Sequence, residues 1–304
     1  MTDSPTRVLV VGATGNQGGA VVDHLLASEA AFEVSGLTRD ATSDAARALE
    51  ARGVTIIEGD LDDPETLREP VADADAVFAV TNFWTQGYDA QVRQGKNVAD
   101  VASEVGVDQF VLSGVGSHDQ DTGIPHFDSA GEIDAHIRDL DLPWTILKPV
   151  FFMENFEAFA EDIVDDGQVA LPLAEGVDLQ MVTNDDLGHA AAIALADPEE
   201  YVGESIDVAG DERSLEETAE ILTAVTGREV EAVHVPIEDA YDTFGEEFTV
   251  MCEWFNEVGY AADIPALEER FGFEFTGLEE YFREAGWENK EGMDSVPGWV
   301  KAMA

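Results

Sequence analysis

The sequence predicts an α/β fold, a doubly wound parallel sheet followed by a smaller, mostly helical C-terminal lobe. Three observations carry this. Six short apolar runs rich in β-branched residues recur over the first 150 residues, helix-period segments lie between them, and beyond residue 150 the alternation loosens. Short buried strands alternating with helices build right-handed βαβ crossovers, whose strands lie parallel and are covered on both faces.

The first run is RVLVVGA (7–13), and it leads into the helical segment NQGGAVVDHLLAS (16–28). EVSGLTR (33–39), TIIEGD (55–60) and AVFAVTN (76–82) supply the next three strands. The segment AQVRQGKNVADVASEV (90–105) has the helical period, and QFVLSGV (109–115) and WTILKPV (144–150) complete the set of strands. After them FFMENFEAFAEDI (151–163) reads as a helix leading to a short strand at QVALPL (168–173). Helix NDDLGHAAAIALAD (184–197), strand ESIDVAG (204–210) and helix SLEETAEILTAVTG (214–227) follow, and the remainder reads as mostly helical and rich in aromatic residues. No Pro/Gly/Ser-rich linker divides the chain into independent halves.

Charge sets the surroundings. Asp and Glu number 65 against 15 for Lys and Arg, a net charge of −50, and only Lys96, Lys148, Lys290 and Lys301 are lysines. The carboxylates are dispersed along a chain whose apolar fraction, 45%, is that of an ordinary globular protein, so they belong to the surface of a folded domain. Self-repulsion of this size is tolerable where the Debye length falls to roughly 3 Å, at about 1 M salt, and the reading is a halophilic adaptation to a salt-filled cytoplasm. An acidic patch that recruits a basic partner would instead gather its charges in blocks. No direct contact with nucleic acid is expected, since that needs clustered Lys and Arg. The lone Cys252 excludes an internal disulfide and any CxxC site. The start, MTDSPTR, lacks an apolar core and no run is long enough to span a membrane, so the expected location is cytoplasmic. The six histidines never fall in a metal-ligand spacing, and no metal site is expected.

The strongest chemical signal is GATGNQGG, where Gly12, Gly15 and Gly18 are spaced GxxGxxG between a predicted strand and a predicted helix. Glycine is needed there because the turn takes unusual backbone angles and the chain must pass close to a pyrophosphate held at a helix N-terminus. At the end of the second strand stand Thr38, Arg39 and Asp40. Arg39 suits the 2′-phosphate of NADP, while Asp40, turned inward, would take the ribose hydroxyl of NAD, so NAD stays open as the alternative. In GDLDD (59–63), Asp60 and Leu61 are placed to flank an adenine; Asp62 and Asp63 read as helix-capping and surface acids.

The strings VLVVGATGNQGGAVV, LTRD, EGDLDD, QGKNVADVA, PHFDS and LPWTILKPVFFMENF together resemble the NmrA-like family of atypical short-chain dehydrogenase/reductases, over residues 6 to about 240. The resemblance implies a Rossmann core with an NAD(P)-binding crevice and a small C-terminal lobe. Expected boundaries are 1–155 for the Rossmann domain and 156–304 for the lobe, with parts of 183–210 returning to the main sheet. The family includes redox-sensing regulators that bind the dinucleotide without turning it over, as well as quinone reductases. It implies cofactor contacts at Thr14, Gly15, Asn16, Gln17, Gly18 and Gly19, at Arg39, at Thr81, Asn82 and Phe83, and at Phe152, Met153, Glu154 and Asn155 near the nicotinamide. For Phe152 and Phe156, ordinary core packing is an equal reading.

Catalytic members of the wider superfamily carry Tyr-x-x-x-Lys, in which Lys lowers the Tyr pKa and holds the ribose, and Tyr exchanges a proton with substrate. Aligned on the family's HFDxK pattern, those positions are His126 and Ala130, so both halves of the pair are absent. His126 reads as a structural histidine, with proton donation near neutral pH left open as the one weak catalytic candidate. Ser113 matches the region of the superfamily's catalytic Ser but has nothing to assist, and reads as a backbone-capping hydroxyl. Asp128 and Glu132, at i, i+4 spacing, read as a solvated face.

Two functions follow. A module that senses the NADP(H) state and signals to a protein partner is favoured by the missing pair. An NADPH-dependent reductase of quinones or other small electrophiles, drawing its proton from water, is kept open by Phe83, Trp84, Phe151 and Phe152. A third reading is a scaffold with a sugar or phenolic substrate.

Overall fold

The computed structural model of the chain describes residues 4–117 and 122–290; Met1 to Asp3, His118 and Lys301 lie outside them. In chain order the first elements are β1 (Thr6–Val11), α1 (Asn16–Ala27), β2 (Phe32–Thr38), α2 (Asp44–Glu50), β3 (Thr55–Glu58), α3 (Glu65–Ala72) and β4 (Ala76–Val80). Then come α4 (Phe83–Gln86), α5 (Tyr88–Val105), β5 (Gln109–Ser113), α6 (Pro125–Asp139), β6 (Trp144–Pro149) and β7 (Phe151–Phe152). β8 (Gln168–Leu171), β9 (Asp178–Val182), α7 (Asn184–Ala196), α8 (Pro198–Tyr201), β10 (Ser205–Val208) and β11 (Asp211–Ser214) follow. The last are α9 (Leu215–Thr226), β12 (Glu231–His234), α10 (Ile237–Phe244), α11 (Glu246–Glu257), α12 (Ile264–Phe271) and α13 (Leu278–Glu284).

The chain divides into two compact units. Among the described residues the first holds 4–117, 126–148 and 184–207, and the second holds 122–125, 149–183 and 208–290. The first is built on a seven-stranded sheet of order β10-β6-β5-β4-β1-β2-β3. Its pairs from β3 across to β6 are parallel, as the buried β-branched runs require. The order reverses between β1 and β4, the switch point at which open sheets of this kind bind ligands, beyond the carboxyl ends of the strands. Leu9, Val77, Phe110, Leu112 and Ile146 from the sheet pack with Val98, Ala102, Ile133 and Ile137 from α5 and α6 in one buried cluster. α1 and α7 approach so closely that a Cβ on Gly188 would lie 2.6 Å from the Ala20 carbonyl carbon. At the far end of α1 the His24 and His189 rings stack, centroids 4.6 Å apart, and His24 Nε2 lies 3.0 Å from Asp185 Oδ1.

The second unit holds two small sheets, β11-β9-β7 and β12-β8, among its helices. The single helix expected over 151–163 is absent. Phe151 and Phe152 instead pair with Met181 and Val182 of β9, a 3-10 helix covers Met153–Phe159, and a wide π-type turn covers Asp162–Asp166. Pairing with β9 holds Phe151 and Phe152 extended, so coiling can begin only at Met153. α9 opens on a reciprocal cap, with Ser214 Oγ accepting from Glu217 N and the Glu217 carboxylate accepting from Ser214 N. Glu157 accepts from Trp287 Nε1 (2.9 Å) and pairs with Lys290, fastening the end of the described chain to this unit. Among the described residues no helix is long and apolar enough to cross a membrane. No group of three or more His, Cys, Asp or Glu among them is placed to hold a metal ion. Cys252 is buried, which pushes its thiol pKa up and leaves it inert.

Candidate cofactor site

The glycine loop follows β1 at the switch point. Gly12 has φ +77°, and a Cβ there would press within 2.8 Å of Val80 Cγ1. A Cβ on Gly18 would fall 2.2 Å from the Gly12 carbonyl oxygen, so the turn closes only if residue 18 has no side chain. Gly15 N donates to Gly12 O at 2.9 Å and shapes the turn. Gly15 is also the N-cap of α1; it offers no side-chain cap, and no acid occupies the first turn. The positive end of a twelve-residue helix is thus left for an external anion. Thr14, Gly15 and Asn16 are exposed, Gln17 and Gly19 half-buried. This cradle, which a Cβ would fill, fits a dinucleotide pyrophosphate.

Arg39 stands just past β2, exposed, with neither a hydrogen bond nor an ion pair to the described residues. In a chain of 65 acids and 15 bases an unclaimed guanidinium is notable. Asp40 is otherwise engaged. Its Oδ1 accepts from Thr42 N (2.8 Å) and Thr42 Oγ1 (2.6 Å), bonds that hold its carboxyl below the ordinary range. Ser43, whose Oγ donates to Asp40 O, caps α2.

The loop after β3 is closed by Asp60, whose Oδ1 accepts from Asp62 N at 3.0 Å. Leu61 is half-buried and its carbonyl accepts from Asn97 Nδ2 at 2.7 Å. Asp63 is not the helix cap expected of it: the N-cap of α3 is Pro64, and Asp63 Oδ1 accepts from Glu65 N two residues on, an Asx-type turn ahead of the helix. Asp62 does something else. Its Oδ1 accepts from Arg93 Nε (2.8 Å) and Arg93 Nη2 (2.6 Å), and its Oδ2 from Gln94 Nε2 (2.9 Å).

After β4, Thr81 Oγ1 accepts from Gln91 Nε2 (3.2 Å), and Gln91 Oε1 accepts from the fully buried Ser129 Oγ (2.5 Å). Asn82 is exposed and opens α4. Phe83 and Trp84 meet edge to face at 5.4 Å, and the His126 ring lies 5.8 Å from the first and 5.2 Å from the second. His126 also packs against Phe127 at 4.7 Å, so it sits among rings at the start of α6, with Ala130 buried one turn on. Ser113 is not a backbone cap: its Oγ donates to Gln17 Oε1 at 2.6 Å, because the end of β5 comes beside the glycine loop. Glu132 is likewise more than a solvated acid, since it accepts from Tyr88 and pairs with Lys96 at 2.7 Å, which keeps its carboxyl below the ordinary range.

Lys148, a base that sequence reasoning gave no role, is buried at the end of β6. It pairs at 3.4 Å with Asp207, whose Oδ1 also accepts from Ser117 N. Its ammonium is committed to that contact. In the second unit Phe152 is a half-buried strand residue, Met153 is fully buried, and Glu154 and Asn155 are half-buried. Phe156 is core, packed on Phe151 and Phe282.

In comparison with known proteins, the profile of the NmrA-like family matches residues 4–285. An NAD(P)H azoreductase of Xenophilus azovorans is 34% identical over 235 residues, spanning 77% of this chain and 78% of its own. An NADPH-dependent quinone oxidoreductase of Escherichia coli, solved with NADPH, shares the fold with a TM-score of 0.82 at 20% identity, over 91% of this chain and 99% of its own. NmrA, a negative transcriptional regulator solved in complex with NADP, does so with a TM-score of 0.77 at 20% identity, over 97% and 99%.

Proposed function

The chain belongs to the NmrA-like family, and from that premise we propose that it binds NADP(H) and passes hydride to a flat, conjugated electrophile such as a quinone or an azo compound. The observation that carries this reading is a division within the first unit: the dinucleotide cradle is intact, while the Tyr/Lys proton relay is replaced by His126 and Ala130.

The open end of α1 and the loop of Gly12 to Gly19 hold the pyrophosphate, with Thr81, Asn82 and Phe83 as the contacts beyond β4. Asp60 and Leu61 flank the adenine. Arg39, unclaimed by any carboxylate, takes the 2′-phosphate, and Asp40, spent on Thr42, offers no rival contact to a ribose hydroxyl. When bound, the reduced nicotinamide supplies the hydride. Phe83 and Trp84 offer ring surface on which a planar substrate stacks, with the His126 ring beside them. A quinone that gains hydride and takes its proton from water leaves as hydroquinone, so no side chain need act as acid. A simple ketone has no such route, and loses the ~10²–10⁴-fold contribution of general acid–base catalysis. The azoreductase relative supports the same substrate class. A cytoplasm rich in salt is the setting read from the acidic shell.

Steady-state NADPH consumption with quinones, azo dyes and simple ketones, in molar KCl, tests the reading; no turnover of any quinone or azo compound would overturn it. A second reading, a sensor of the NADP(H) redox state that signals to a protein partner, is favoured by the lost relay and by the structural likeness to NmrA. It requires no turnover together with a clear difference in affinity between NADP+ and NADPH.

A further inference from the structure

The end of β2 and the end of β3 lie side by side. Thr38 is in register with Glu58 across the parallel pair, and Gly59 N donates to Thr38 O at 3.0 Å. Arg39 leaves the first strand and the Asp60–Asp63 loop leaves the second, so the Arg39 guanidinium stands near a run of carboxylates. By charge alone the expected outcome is that Asp62 captures Arg39. It does not. Asp62 is held from α5 by both donors of the Arg93 fork on Oδ1 and by the buried Gln94 amide on Oδ2. Its backbone is fixed as well, through the Asp62 N to Asp60 Oδ1 bond and the Asn97 contact to the Leu61 carbonyl. Gln91, Gln94 and Asn97, spaced three apart on α5, each reach a loop at the carboxyl end of a strand.

We infer that Arg93 is a specificity-determining positioning residue: by holding and neutralising Asp62 it keeps Arg39 available for the 2′-phosphate of NADPH. The inference rests on the NADP(H) reading of the site. Arg93 touches no part of the cofactor in this scheme; it acts through Asp62. The Asp62 carboxyl is held below the ordinary range by Gln94 and Arg93, with Arg39 adding to the effect, so Asp62 is ionised and close enough to matter. Remove Arg93 and the carboxylate has two courses, both unfavourable to NADPH. It swings to Arg39, or it stays as an uncompensated negative charge near the 2′-phosphate.

The test is titration of NADPH and NADH into wild type, Arg93→Gln, and Arg93→Gln combined with Asp62→Asn. All are measured at one fixed salt concentration at which circular dichroism shows every variant folded. Wild type should prefer NADPH by about tenfold, and Arg93→Gln should bring the preference close to unity with NADH affinity changed by less than about twofold. The second substitution, which removes the charge that Arg93 had held, should restore the preference to within about twofold of wild type. A folded Arg93→Gln protein that keeps its preference would overturn the inference, as would a double variant that does not recover it. Wild type with equal affinities would overturn the NADP reading beneath it.

Discussion

The two sides of the switch point in the first unit differ in what they carry. On the β1–β2–β3 side stand the features from which the proposed dinucleotide site is built: Gly12 at φ +77°, Gly18 where no Cβ fits, an uncapped α1 and an unpaired Arg39. On the β4–β5–α6 side the positions compared with a Tyr/Lys relay hold other residues. Ser113 is spent on Gln17, His126 lies among Phe83, Trp84 and Phe127, and Ala130 stands where the relay has its Lys. On the proposed reading, binding and proton transfer are separable in this sheet, because the glycine cradle rests on backbone shape while a Tyr/Lys relay rests on two side chains.

The largest effect should come from breaking the β1–β2–β3 side at its tightest point. Gly18→Val drives a side chain into the Gly12 carbonyl, and should abolish NADPH binding while costing about 1–3 kcal/mol of stability through overpacking. Calorimetric titration and thermal melts read both. Next is Arg39→Ala, which should weaken NADPH binding by about tenfold and leave NADH nearly unchanged. Repeating the titrations in molar KCl sharpens the contrast, since screening should erode the contribution of Arg39 and spare that of the glycine cradle.

A smaller effect concerns the anchorage of α1 rather than its binding end. The hydrogen bond to Asp185 raises the His24 pKa; burial, and then the His24 charge, lower that of His189, so the two stacked rings are pushed in opposite directions. A pKa raised on folding stabilises below the unfolded value of about 6.5 and is lost as pH climbs through the folded one. The melting-temperature gap between wild type and His24→Ala should be widest below about pH 6.5 and close on the alkaline side, by roughly 1–2 °C for so solvent-screened a pair.

The β1–β2–β3 side was the more legible in sequence. Six strand runs and the glycine triplet each carry a local signature, because buried parallel strands and a positive-φ turn constrain the residues that form them. In the second unit the strand expected at QVALPL is β8, whereas β7, β9, β11 and β12 escaped, since they are two to five residues long and leave no sustained alternation. Asp62 escaped for a different reason. Among 65 acids one more carries no information, and its partner Arg93 lies 31 positions away, joined only by the fold. The Ser113 contact to Gln17, 96 positions apart, was hidden in the same way. His126 was visible as the residue in the Tyr position, but the rings that enclose it come from α4 and were not.

The central claim, a working cofactor edge beside a missing proton relay, is tested most directly by measuring kcat/KM for a quinone and for a simple ketone side by side, in wild type and His126→Ala. The expected result is quinone turnover that the substitution changes by less than about twofold, with ketone reduction slower by ~10²-fold or more in both proteins. Ketone reduction as fast as quinone reduction in wild type, and abolished in His126→Ala, would contradict the account and make His126 the acid.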